Sequence, residues 1–267
     1  MRFGLIAEEG AAGTAGFPRL KLRPVEMFWI ITAAALWGAG TGVLIPRAAY
    51  RLSVPPDEPW RTACPAGHPF VGAGNGWLGR ARCTDGNAYG PRTLTIAVVV
   101  AMVCAALAAA VGARPELVVW LLLTPVSVLL AAVDFAAHRL PDVLTLPLAA
   151  AALVLLGGAS LLPDAEGSWT PALLGSLLLG ACFLVLFLIS KGFGFGDVKL
   201  ALVLGAVLGW YGWPLLLIGT FAGYLLGALY GIALMLAGRG GPATRIPFGP
   251  FLLAGAFAGV ILGSYTQ

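Results

Sequence analysis

The sequence predicts an all-α, polytopic membrane protein with about eight transmembrane helices. Three observations carry that reading. Of 267 residues, 59% are hydrophobic and 10% charged, and the mean hydropathy is +0.91, which excludes an ordinary soluble domain. Two stretches carry no charge at all: 21 residues from Thr170 to Ser190, and 39 from Leu200 to Gly238. Their apolar residues run continuously instead of alternating, which argues against a β-barrel.

A membrane helix needs about 20 apolar residues. Eight segments qualify: 27–45, 94–112, 117–134, 142–162, 171–190, 197–210, 214–236 and 247–264. The 39-residue run is too long for one crossing. It breaks at Trp210-Tyr211-Gly212-Trp213-Pro214, where interfacial aromatics and a proline suit a tight turn at the membrane surface. Ahead of the first helix, residues 1–26 are polar and glycine-rich and are expected to be flexible. They lack the short apolar core and small-residue cleavage site of a signal peptide. Gly38, Gly40 and Gly42 in the first helix allow close helix packing. Three units follow: a tail over 1–26, the first helix with a Pro- and Gly-rich loop over 27–93, and a membrane-embedded domain over 94–267.

The net charge of +4 reports topology and not a nucleic-acid partner. If the 46–93 segment is cytoplasmic, alternation puts 134–142, 191–199 and 237–246 on the same side. Those four segments hold 11 of the 16 basic residues, from Arg47 to Arg245. The opposite loops hold only Arg114, against Glu116, Asp164 and Glu166. Basic loops face the cytoplasm, so these four segments are expected on the cytoplasmic side. Arg19, Lys21 and Arg23 run against this pattern, and Met27 offers an alternative start that removes them.

Of four cysteines, Cys104 and Cys182 lie in apolar helices and are expected to be small core residues. Cys64 and Cys83 lie in the loop, where a cytoplasmic environment keeps them reduced. Cys64, His68 and Cys83 offer three metal ligands with Asp85 a poor fourth, whereas a structural zinc site needs four. No metal is expected.

The chemistry gathers at Gly192-Phe193-Gly194-Phe195-Gly196-Asp197-Val198-Lys199. An ionisable residue between two uncharged runs is costly and points to function, and the glycines let another backbone approach closely. Asp197 opens one helix at its cytoplasmic end, and Asp134 closes another on the same side, 63 residues earlier. Two carboxylates that share a site cannot both ionise cheaply, so one stays protonated while the other is charged. The charged one activates water and the protonated one polarises a peptide carbonyl, which is aspartyl proteolysis. Asp142 is a third acid, placed after Pro141 as at an ordinary helix start, and chemistry alone does not choose between it and Asp134. His138 reads as an interfacial polar residue, and Lys199, two residues past Asp197, as an interfacial anchor on another helix face. The competing class is a transporter whose intramembrane acids relay protons or bind cations.

Asp134 with His138-Arg139-Leu140-Pro141-Asp142, Gly194-Phe195-Gly196-Asp197-Val198-Lys199, and Pro247-Phe248-Gly249-Pro250 together resemble the type IV prepilin leader peptidases over roughly 94–264. The resemblance implies Asp134 and Asp197 as the catalytic pair, with Asp142, Gly194, Gly196, Lys199, Pro247 and Gly249 supporting. It implies a prepilin or pseudopilin substrate with a basic leader and an apolar helix, cut after Gly at the cytoplasmic face without a cofactor. Bifunctional members also methylate the new N-terminus with S-adenosylmethionine, in a region that carries two Cys-x-x-Cys pairs. Here Gly67 and Gly86 stand where each pair's second Cys would be.

Overall fold

The computed structural model describes residues 23–55, 58–190, 194–239 and 246–266. Residues 1–22 of the expected tail, Lys191, Gly192, Phe193 and Arg245 lie outside them. The elements are α1 (Pro24–Leu52), a single turn α2 (Ala73–Gly76), α3 (Thr93–Val111), α4 (Pro115–Ala137), α5 (Asp142–Ala159), α6 (Trp169–Ile189), α7 (Phe195–Gly209), α8 (Trp213–Leu236) and α9 (Gly249–Thr266). Seven of these helices are long and apolar enough to cross a membrane. The eighth expected crossing, α7, has 15 residues and spans about 22 Å against a hydrocarbon core of about 30 Å.

Helix α1 starts before residue 27 and continues seven residues past the expected end at 45. Pro46 lies inside it. A proline costs a helix one hydrogen bond, but here the flanking turns pack against α3 and the loop, and Ile45, Ala48 and Ala49 are buried. Gly38 and Gly42 are why α1 and α3 approach so closely: a Cβ on either would lie 2.6 Å from Val100 O or 2.7 Å from Ala97 Cα.

Helix α7 is the hub. All of Val203–Gly209 is buried, with α6 on one side and α5, α8 and α9 around it. A Cβ on Gly205 would lie 2.3 Å from Gly175 O of α6, so only a glycine pair permits this contact, in the way small residues pack membrane helices. Cys104 is buried as expected, whereas Cys182 is exposed on α6. A continuously apolar helix does not reveal from sequence which face turns outward.

The two ends of the bundle differ. At one end Arg114 pairs with Glu166, Glu166 N–H reaches Glu116 Oε1 at 3.4 Å, and Ser168 N–H donates to Trp210 O at 3.0 Å. Arg114 Nη1 also reaches Ser264 O at 3.4 Å. The start of α4, the α5–α6 connector, the end of α7 and the end of α9 therefore meet there. The opposite ends of the same helices, carrying Asp134, Asp142, Asp197 and Gly249, meet at the other.

Candidate active site

Helix α4 ends because His138 adopts a left-handed conformation, φ +49°, with its N–H on Asp134 O at 2.8 Å. That conformation is uncommon but more accessible to His than to most residues. It turns the chain sharply into Arg139-Leu140-Pro141. Leu140 is buried and becomes the peg around which the site is assembled. A Cβ on Gly196 would lie 2.9 Å from Leu140 Cβ, and one on Gly249 would lie 2.8 Å from Asp134 Oδ2 and 3.3 Å from Leu140 Cδ2. Two glycines thus let the starts of α7 and α9 close on the α4–α5 corner. Pro247, buried two residues before α9, leads into that contact.

Asp134 is 5% exposed. Its Oδ2 accepts the Gly249 N–H at 3.0 Å, so the first turn of α9, with its unpaired N–H groups and positive dipole end, is aimed at it. Asp197 stands in the first turn of α7, and its Oδ2 accepts the Gly194 N–H at 3.1 Å, which satisfies one donor at that helix start. Each carboxylate therefore has a helix N-terminus to support a negative charge. Both line one cavity of about 580 Å³, together with Trp60, His138, Asp142, Gly194, Gly196 and Lys199. Asp134 and Asp197 come from separate helices to a common space.

The same cavity gives the three acids different surroundings. The Asp142 side chain is 66% exposed and forms an ion pair with Lys199. Lys199 is itself nearly buried, with its Nζ 4.4 Å from the Phe195 ring centroid. Lys199, expected as an interfacial anchor on another helix face, lines the same cavity as Asp197. Trp60 was not singled out in the sequence. It reaches the cavity because Arg139 Nη1 holds Pro55 O at 2.9 Å, and because its ring packs edge-on to Trp77 at 5.4 Å. The visible signal was a lone aromatic between charges in a proline-rich loop.

The loop over 53–93 is fastened to α1 by arginines. Arg47 donates to Val71 O at 2.9 Å, Arg61 to Tyr50 O at 2.7 Å, and Arg51 stacks 3.8 Å over Trp77. Within it, Cys64 Sγ, a ring nitrogen of His68 and Cys83 Sγ all lie within 4.8 Å of one another. Burial opposes ionisation of the Cys64 thiol, yet hydrogen bonds from Cys83, Ala66 and His68 outweigh it and bring the thiol down to about 7. These are the described residues best suited to hold a metal, and they do not line the cavity of the aspartates.

Residues 121–232 match the model of the type IV leader peptidase family. A prepilin leader peptidase/N-methyltransferase of Aeromonas hydrophila is 36% identical over 214 residues, covering 76% of this chain and 70% of the relative. One of Pseudomonas aeruginosa is 34% identical, over 49% of this chain and 45% of its own. One of Burkholderia pseudomallei is 42% identical, over 46% and 39%. No solved structure matches.

Proposed function

Since the chain belongs to the type IV leader peptidase family, we propose that Asp134 and Asp197 are its catalytic pair. On this reading they cut the basic leader of type IV prepilins or type II secretion pseudopilins after Gly, at the cytoplasmic face. The chain is a multi-pass membrane protein and a prepilin peptidase, hence a hydrolase. The observation that supports the residue assignment is the shared cavity, onto which two carboxylates from different helices open. A proton-relaying transporter is not favoured, because the acids gather at helix ends beside a cavity lined by Gly194 and Gly196.

The mechanism follows from the pair. One negative charge is shared between the two carboxyls. The ionised carboxylate takes a proton from water as the oxygen attacks the scissile carbonyl carbon. The protonated partner donates a hydrogen bond to the carbonyl oxygen as it gains charge. The tetrahedral intermediate then collapses, the C–N bond breaks, and the proton taken from water passes to the leaving amine. The Gly249 and Gly194 N–H groups fix both carboxylates, so little reorientation is left for the reaction itself.

The relatives are also named N-methyltransferases, which suggests S-adenosylmethionine. That molecule presents a cationic sulfonium and ribose hydroxyls. The loop cavities described away from the aspartates are lined by Arg80, Arg82 and Arg92, by Arg47 and Arg82, or by Arg61, and by no carboxylate. These residues do not fit the group, and no methyl-transfer step is derived.

Two outcomes are expected from this reading. A single cysteine placed at the exposed Asp164 is labelled by an impermeant maleimide in intact cells, because the arginine-rich loops face the cytoplasm; labelling only after permeabilisation would reverse the topology. Asp142→Asn keeps leader cleavage within about fivefold of wild type, since a mostly exposed ion pair or a helix-start acid contributes about 0.3–1 kcal/mol. A dead Asp142→Asn enzyme beside an active Asp134→Asn enzyme would mean that the wrong carboxylates are paired.

A further inference from the structure

The cavity of the aspartates is walled by residues of the α4–α5 corner, by residues at the start of α7 and, from the loop, by Trp60. The position of Trp60 is held from several sides. Arg139 of the corner donates to Pro55 O at 2.9 Å, just ahead of it. Its ring meets Trp77 at 5.4 Å and 83°, and Trp77 lies under the Arg51 guanidinium at 3.8 Å. Arg51 is buried and donates to Arg61 O at 3.1 Å and Asn75 O at 3.2 Å. The Trp60 indole itself remains 40% exposed.

Other rings of this region already take an arginine. Arg51 lies over Trp77, Arg61 over Tyr50 at 4.4 Å and Arg47 over Phe70 at 6.0 Å. Among the described residues no cation lies over Trp60, although Trp attracts a cation more strongly than Tyr or Phe. Charge alone gives the cavity little pull on a basic peptide. Lys199 is paired with Asp142, and Arg139 offsets the one negative charge that Asp134 and Asp197 share. His138 aside, the charges lining the cavity cancel. Selecting a basic segment there takes a contact that works without net charge.

We propose that Trp60 recognises the basic leader, its indole face taking one Lys or Arg side chain of the segment ahead of the scissile bond. The inference rests on the leader-cutting reading above. On that reading the apolar helix of the substrate stays in the bilayer. The leader runs out toward the loop, which joins α1 to α3 outside the membrane. A side chain supplied by the loop therefore meets the leader and not the helix. The contact lies away from the bond that breaks and is the same before and during the reaction. It acts on KM and leaves kcat alone.

The test compares two prepilins that differ only in the leader, one basic and one with its Lys and Arg residues replaced by Gln. Purified full-length enzyme in detergent is assayed on both, with cleavage read by mass. Trp60→Ala is expected to raise KM for the basic prepilin about fivefold with kcat unchanged. Both constants should stay as in wild type for the neutral prepilin, which also shows that the variant is folded. Trp60→Phe keeps a ring against Trp77 and should show a smaller KM rise, again confined to the basic prepilin. It decides the matter if Trp60→Ala does not purify. An equal loss on both prepilins, or a fall in kcat, would make Trp60 a packing residue and overturn the proposal, as would no change on either. A wild-type enzyme that cleaved neither prepilin would instead overturn the leader-cutting reading, and the proposal with it.

Discussion

Asp134→Asn and Asp197→Asn are each expected to reduce leader cleavage to background. The readout is the mass of a leader-bearing prepilin after incubation with purified enzyme. An amide keeps the shape of the side chain but neither takes the proton from water nor exchanges roles with its partner. General acid–base catalysis contributes about 10²–10⁴-fold, and the members of such a pair act as a unit, so each single substitution removes most of it. The fold should survive. An Asn oxygen still accepts the Gly249 N–H at position 134 or the Gly194 N–H at position 197, and removing a charge from a buried site relieves a desolvation cost. Both variants should insert and purify as wild type does. A variant that inserts and still cleaves at wild-type rate would remove that residue from the catalytic pair.

The helices were legible because the lipid imposes a simple rule: backbone groups must be satisfied within each segment, so long apolar runs are helices. The Trp210–Pro214 break was legible for the same reason in reverse, since α7 ends at Gly209 and α8 starts at Trp213. The passage of α1 through Pro46 was not, because a proline reads as a stop unless the packing around it is known. The candidate site was half legible. That acids at helix ends on one side belong together followed from counting crossings. How Asp134 and Asp142 differ did not, since that lies only in what surrounds them: one is buried under α9, the other exposed beside Lys199. Leu140 carried no signal at all. A leucine before a proline is unremarkable until two glycines from distant helices close on it. The turns at Cys64 and Cys83, in which Gly67 N–H donates to Cys64 O and Gly86 N–H to Cys83 O, were hidden for another reason. Their order comes from backbone hydrogen bonds and positive φ at glycine, which leave no hydrophobic periodicity.

Gly249→Ala is expected to lower kcat/KM for leader cleavage by about 10²-fold while the protein still inserts. The added Cβ would stand 2.8 Å from Asp134 Oδ2, closer than van der Waals contact, and 3.3 Å from the Leu140 side chain. Leu140 can rotate away. The carboxylate cannot move without lengthening the 3.0 Å bond from the Gly249 N–H, so either it turns out of the cavity or the start of α9 slides back. A displacement of about 1 Å at a reacting group costs on the order of 10²-fold in rate. The loss should be smaller than for Asp134→Asn, because the carboxyl is still present. Gly40→Ala is the matched control: its Cβ meets nothing within 4 Å, and alanine in a helix interior is favoured over glycine by about 0.5–1 kcal/mol. It should cleave as wild type does and unfold no more easily. If Gly249→Ala cleaved as fast as Gly40→Ala, the approach of α9 to Asp134 would be packing alone, and the N–H on that carboxylate would have no part in catalysis.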